Sequence, residues 1–407
     1  MIHQEEKTMT TYVVDHPEKG HIQYRDKKRW LWCGAILFSL MPLPIIAAFV
    51  WSDNPWVLIL PLEISFILIP IIDHFVGVDT NNPPEEIVPQ LDADPYYHRL
   101  ILLSVPVHFI TIFTGAWLVG THPLPLGFLI AFAIVMGLYS GMSINTAHEI
   151  GHKNTKRERL LSRFALAVTG YGHFCSDHNF GHHRDVATPE DPVSARMGES
   201  VYRFMLREIP GALKRGWEAE AARLRRRKKP VWSHHNHILQ SYAITLAYQG
   251  GLVLIFGWIL IPFFVIHNGF AWFQLTSANY IEHYGLLRAK KPNGRYERCQ
   301  PHHSWNANHT FSNLMLFQLQ RHSDHHANPA RSFQSLRSFD DLPELPFGYF
   351  TMYMIAYIPA LWFRVMDPIL MAIPHINGNL SNVNLDPKRA DEYRAKWGDT
   401  DTQKSAA

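Results

Sequence analysis

Long uncharged runs alternate along this chain with polar stretches rich in basic residues and histidine. The first run, residues 30–51 (WLWCGAILFSLMPLPIIAAFVW), can cross a hydrocarbon core of roughly 30 Å as one helix. Runs at 54–72, 101–120 and 125–147 follow, the last again without charge. From Ile238 to Ile281 no Asp, Glu, Lys or Arg occurs. One helix of that length would extend about 66 Å, twice what a bilayer needs, so the pattern predicts two helices hairpinned near Gly257 to Pro262. The expected fold is an all-α membrane protein of six transmembrane helices with a cytoplasmic helical cap. The run 347–363 carries Pro359 and precedes Arg364 and Asp367, which predicts an interfacial helix rather than a seventh span.

Lys27, Lys28 and Arg29 precede the first run, whereas the short connections at 52–53 and 121–124 hold no basic residue. The positive-inside rule then places both termini in the cytoplasm, and with them the basic segment containing RLRRRKK at 223–229. The predicted organisation is a cytoplasmic tail over 1–29, transmembrane helices 1–4 over 30–147, a cytoplasmic segment over 148–237, helices 5–6 over 238–284, and a cytoplasmic cap and tail over 285–407. The head and the stretch after about Gly378 read as peripheral. The first run starts too late and is too long for a cleaved signal peptide.

With 407 residues, a net charge of +3 and 18% charged residues, the composition suggests no nucleic-acid partner. Only Cys33, Cys175 and Cys299 are present, with no CxxC, which argues against a disulfide framework, a zinc ribbon or an iron–sulfur module. No GxGxxG follows a strand pattern and no GxxxxGK[ST] occurs, so neither a bound dinucleotide nor an ATPase is expected.

The 25 histidines are the compositional anomaly. NTAHEIGHK ends the fourth run with His148 and His152 at i, i+4, one helix face. SDHNFGHH supplies His178, His182 and His183 as HxxxHH, and YIEHYG ends the sixth helix with His283. RHSDHH adds His322, His325 and His326, expected to share one face of a helix that begins near Ser312. Converging imidazoles would repel if protonated, and shared metal ligation removes that cost. HEIGH alone also matches the zinc-protease pattern, with Glu149 as base. Nine imidazoles exceed what tetrahedral zinc takes; they suit two metal ions and are compatible with iron that binds oxygen. His302, His303 and His309 read as surrounding or docking residues, and His234, His235 and His237 as exposed or interfacial. His108 and His173 stand alone.

From about Arg29 to Leu345 the chain resembles the integral-membrane alkane 1-monooxygenases, relatives of membrane fatty-acid desaturases. The resemblance rests on NTAHEIGHK, GHFCSDHNFGHHRDVATPEDP, LTSANYIEHYGLLR, PHHSWNANH, LQRHSDHH and NNPPEE. It implies terminal hydroxylation of n-alkanes with O2 at a centre of two non-haem iron ions, mapped to the nine histidines His148, His152, His178, His182, His183, His283, His322, His325 and His326. It also implies electrons from rubredoxin, fed by an NADH-dependent reductase, and residence in a bacterial inner membrane. The spacing HxxxHH favours a hydroxylase over the HxxHH common in desaturases, and Asp177 stands where the family more often has Glu. A membrane desaturase and a zinc metalloprotease remain the alternatives. A metal transporter is disfavoured because the histidines gather at one membrane face.

Glu149, Asp177, Asp185, Glu282 and Asp324 are candidates for orienting the imidazole N–H groups. Ile134, Gly137, Gly141 and Ile144 repeat at helical spacing above His148 and are expected to line a substrate channel, although Gly137 and Gly141 also form a GxxxG packing pair. Basic residues over 203–229 are expected either to steer an acidic electron donor or to serve the positive-inside rule.

Overall fold

The computed structural model describes residues 10–153 and 155–398. Among the described residues, four helices are long and apolar enough to cross a membrane: Pro55–Val76, Pro95–Thr121, Leu126–Gly151 and His237–Phe256. Two bent pairs add to them, Leu31–Leu40 with Pro42–Ser52 at 42° and Tyr349–Ala356 with Pro359–Ala372 at 119°. The chain is thus a mostly helical multi-pass membrane protein, with four to six apolar spans among the described residues.

Local chemistry sets the helix ends. Asn54, Asp94 and Asn236 each accept backbone amides of the turn they open. Gly257, at φ 99°, ends His237–Phe256 in a conformation that side chains rarely adopt. The next helix, Leu260–His283, carries Asn268, Gln274, Thr276, Asn279 and Glu282, and is too polar to stand among the four apolar helices. It is largely buried against Leu126–Ser140, where a Cβ on Gly137 would sit 2.6 Å from the His267 carbonyl oxygen. Outward-facing Trp51, Phe75, Leu246, Leu254 and Trp258 form an apolar exterior.

Several expectations need correction. The run 347–363 is no single interfacial helix, because Ile358 leaves helical geometry before Pro359 and the chain turns by 119°. The head, expected to be peripheral, packs on the body: Thr11–His16 and Gly20–Arg25 pair as an antiparallel hairpin around Gly20, and Tyr12 donates to Asp94 at 2.6 Å. The tail is not peripheral. Arg203 reaches Asp386 at 2.7 Å, and buried Tyr393 donates to Asp367 at 2.7 Å. The helix expected from Ser312 into the last histidine box stops at Met315. Phe317 and Gln318 take left-handed φ values of 50° and 54°, and the chain resumes helix only at His322. Phe317 packs on Phe333, centroids 5.0 Å apart, and Gln318 donates to the Leu336 carbonyl at 2.7 Å, contacts that fix this reversal.

Apolar packing divides in two. One core, including Ile46, Phe49, Leu58, Ile112, Phe132 and Phe263, fills one end of the helical bundle. The other, including Leu138, Met142, Ile144, Tyr280, Trp305 and Trp362, surrounds the end where the histidines gather.

Candidate metal centre

All nine histidines meet, and they meet as two groups. His148, His152, His178, His183 and His325 form one; His182, His283, His322 and His326 form the other. Within each group the potential ligand atoms lie within 4.8 Å of one another.

Helical phase explains the division. His148 and His152 lie one α-turn apart and join the same group. The box HxxxHH lies in a π-helical turn, His178–His182, whose i, i+5 period brings His178 and His183 together at 2.9 Å between Nε2 atoms. His182 is left facing the other group and meets His326 Nε2 at 3.2 Å. On the short helix His322–Ala327, His322 and His326 are i, i+4 and approach to 2.9 Å. His325, about 100° around the helix from His326, meets His148 Nε2 at 2.8 Å and His183 Nε2 at 3.1 Å. The expectation that His322, His325 and His326 share one face is therefore corrected: the last box straddles both groups. His283, the final residue of its helix, lies 3.2 Å from His322.

Six such Nε2–Nε2 approaches of 2.8–3.2 Å put lone pairs against one another. One proton can satisfy a pair, but His325 and His326 each face two neighbours, and His152 Nε2 is buried with no hydrogen-bond partner. A cation at the centre of each group satisfies all of them, so the donor set fits metal. Burial and then neighbouring imidazoles hold His178, His183, His322, His325 and His326 well below the ordinary histidine range, in the neutral form that ligates.

Four of the five carboxylates expected to orient imidazoles lie on cations instead. Glu149 sits 3.4 Å from Lys153, Asp177 grips Arg215 through both oxygens at 2.5 and 3.0 Å, Asp185 pairs with Arg184 at 2.6 Å, and Asp324 takes Arg331 at 2.8 Å. Glu282 does reach a histidine, but at the Nε2 edge of His322, 3.2 Å away, and its other oxygen accepts from Tyr349 at 2.9 Å. It meets the same His322 nitrogen that faces the four-histidine group, not an outward Nδ1 that an orienting carboxylate would hold.

The orienting carboxylate is Asp191, which the sequence reading missed. Its Oδ2 lies 2.9 Å from His182 Nδ1, its Oδ1 accepts from Arg215 at 2.7 Å, and Ser194 donates to it at 2.7 Å. Burial opposes ionisation here, yet His182 and Arg215 hold the carboxyl far below the usual carboxylate range. Asp177 acts one step further out, clamping the Arg215 that holds Asp191. The signal was the acid in TPEDP a few residues after the histidine box, a spacing no helical period selects.

An apolar cavity of about 80 Å³ opens onto both groups. Its walls include Phe38, Leu138, Met142, Leu275, Leu316 and Phe350, and it ends on His148, His178 and His322. Of the expected channel residues, Gly141 and Ile144 line it, whereas Gly137 packs on Leu260–His283 and Ile134 lies outside. The helix breaks phase at Gly141, so the lining face above it runs through Leu138 instead.

Glu297, His302 and His303 make a further cluster. His303 Nδ1 accepts the Gln300 amide at 2.9 Å, which places its proton on Nε2, pointed at Glu297 3.3 Å away. Both His303 ring nitrogens are thereby engaged, and this part of the cluster is a cap. Among the basic residues of 203–229, Arg203, Arg207, Arg215 and Arg223 are held in internal ion pairs, which leaves Lys214 and the exposed stretch Arg225–Lys229 as the outward charge.

A helical membrane bundle closes two histidine groups, each able to hold a metal ion, at one end, and residues 123–356 match the family described as fatty acid desaturase. The chain is 48% identical over 378 residues to alkane 1-monooxygenase 1 of Alcanivorax borkumensis, covering 92% of each protein. It is 48% identical over 380 residues to alkane 1-monooxygenase of Ectopseudomonas oleovorans, covering 92% of this chain and 93% of the relative. A more distant relative, the xylene/toluene monooxygenase hydroxylase component of Pseudomonas putida, is 27% identical over 233 residues, 55% of this chain and 59% of its own length. This chain belongs to the alkane 1-monooxygenase family.

Proposed function

We propose that the protein hydroxylates the terminal methyl of n-alkanes, consuming O2, two electrons and two protons and releasing the primary alcohol and water. The observation that carries this reading is the apolar cavity ending on His148, His178 and His322, residues drawn from both histidine groups. Each group holds one iron, so the five- and four-histidine sets form a di-iron centre, with Glu282 available to the second. The metals supply the activation of O2 that no side chain can provide.

The chain's own residues hold and position. An alkane offers no polar handle, so binding rests on burial, about 0.8 kcal/mol per methylene. Phe38, Leu138, Leu275 and Phe350 supply that apolar wall, and the histidines at its end receive the methyl. Asp191 keeps the His182 proton on Nδ1, so that Nε2 faces the metal. Tight packing around the cavity excludes bulk water from the reacting carbon.

The remaining assignments complete this proposal: six spans including Leu260–His283, the segment boundaries given above, and both termini and the metal centre on the cytoplasmic face of a bacterial inner membrane. Rubredoxin, reduced by its NADH-dependent reductase, donates the electrons, and Arg225–Lys229 offers an acidic donor an exposed basic patch. A zinc protease is disfavoured because Glu149, its required base, turns to Lys153 and away from the cavity. Purified protein with rubredoxin, reductase, NADH and n-octane is expected to yield 1-octanol and to carry about two iron ions per chain. One zinc and no octanol would overturn the reading.

A further inference from the structure

A second cavity, about 260 Å³, lies behind the metal centre. Its charged lining is mostly basic. Lys153, Arg159, Arg163 and Arg223 line it, with Glu220 its one carboxylate and His152 the wall shared with the five-histidine group. A water needs only about 10–15 Å³ of such space, so an oxyanion fits readily.

The cations are not alike. Arg223 is held through two hydrogen bonds, 2.5 and 2.6 Å, by Glu220, and Lys153 is engaged by Glu149 at 3.4 Å and Ser332 at 2.5 Å. The Arg163 guanidinium makes no hydrogen bond or ion pair among the described residues, and its Nε is buried without a partner. Burial, together with the like charges of Arg223 and Arg159, pulls Arg163 below the ordinary arginine range. A buried donor left unpaired costs about 1–3 kcal/mol, more when charged. Four basic side chains and one carboxylate thus line the cavity, and Arg163, whose Nε has no partner among the described residues, is one of them.

Position narrows the ligand. The cavity touches Gly151, where one apolar helix ends, and His237, where another begins, so it lies at the level where the bundle leaves the hydrocarbon. Phe180 on its rim is 59% exposed, and Trp232, just before His237, is 78% exposed, as interfacial aromatic residues are. Basic pockets at this depth suit phosphoryl headgroups.

We propose that Arg163, with Arg159 and Arg223, binds a phosphoryl group in this cavity, and that the source is the headgroup of an anionic phospholipid rather than free phosphate. Occupancy joins the Lys156–Ala167 helix to Val201–Arg226 beside His152, and it is independent of which substrate the metal centre oxidises.

The test uses the full chain in nanodiscs of phosphatidylglycerol or of phosphatidylcholine, with melting temperature as the readout. The expected result is a higher Tm in phosphatidylglycerol that Arg163→Gln removes, Arg163→Lys partly keeps, and the exposed control Arg226→Gln leaves intact. In neutral detergent, titration with inorganic phosphate separates the sources. Saturable stabilisation that weakens about tenfold or more in Arg163→Gln, the value of one charge-assisted hydrogen bond, assigns the site to the free oxyanion. A wild type that responds to neither probe, or responses identical in Arg163→Gln and wild type, overturns the site. If Arg163→Gln does not fold, the graded response of Arg163→Lys decides.

Discussion

Replacing Asp191 by Asn tests how the metal centre is built. The substitution keeps the shape but removes the charge that faces His182 Nδ1 at 2.9 Å, and it leaves Arg215 with Asp177 as its anchor. Loss of such a partner to a ligating histidine costs about 10- to 100-fold in metal affinity, about 1.4–2.8 kcal/mol. His182 belongs only to the four-histidine group, so the loss falls on one of the two sites. Under a timed chelator challenge, Asp191→Asn is expected to drop from about two iron ions per chain toward one, while wild type retains both. Ser194→Ala removes one hydrogen bond to the same carboxylate and is expected to weaken retention by a smaller factor. Melting temperature in the iron-free state separates metal loss from misfolding. Retention equal to wild type would refute Asp191 as the orienting group; simultaneous loss of both irons would refute the five-and-four division.

Removing His325, whose Nε2 meets both His148 and His183, is expected to abolish octane hydroxylation and lower bound iron, whereas His235→Ala alters neither; full iron in His325→Ala counts against the ligand set. Gly141→Leu fills the cavity wall about 10 Å above His148, so turnover of long alkanes is expected to fall while short ones persist; a uniform loss across chain lengths points to packing instead. Glu149→Gln is expected to retain most activity and all iron, since the carboxylate pairs with Lys153; an inactive variant with full iron content revives a direct role for Glu149. The buried neutral His178, His183, His322, His325 and His326 are held below their unfolded value of about 6.5, so the unfolded chain binds more protons as pH falls. Their contribution is present above that value and lost below it, and the iron-free protein is expected to melt at progressively lower temperature from pH 7 to pH 5. A flat profile counts against their burial as neutral groups.

The apolar runs and the histidine boxes were legible because each is written in local spacing. Gly257 ended a run where a glycine was needed, and nine imidazoles announced a candidate metal centre without reference to the fold. What local spacing did not carry was phase. HxxxHH reads as an α-helical pair plus a neighbour, and only the π-turn at His178–His182 pairs His178 with His183 instead. The last box lost its expected shared face for a related reason: left-handed Phe317 and Gln318, fixed by Phe333 and Leu336 far along the chain, re-aim the short helix that follows. Asp191 was hidden because its role depends on Arg215, 24 residues away on the Val201–Arg226 helix. Polar Leu260–His283 shows the same limit from the other side, since its amides serve the buried interior rather than the bilayer.

The box His322–Ala327 supplies three imidazoles to the two groups and comes last in the chain. During synthesis, His148, His152, His178 and His183 emerge long before His325, and His182 and His283 before His322 and His326. Neither group closes until that short helix leaves the ribosome and folds back over the end of the bundle. Under the proposed di-iron assignment, a chain truncated before His322 is expected to lack one imidazole of the five-histidine group and two of the four-histidine group, so that neither site is complete.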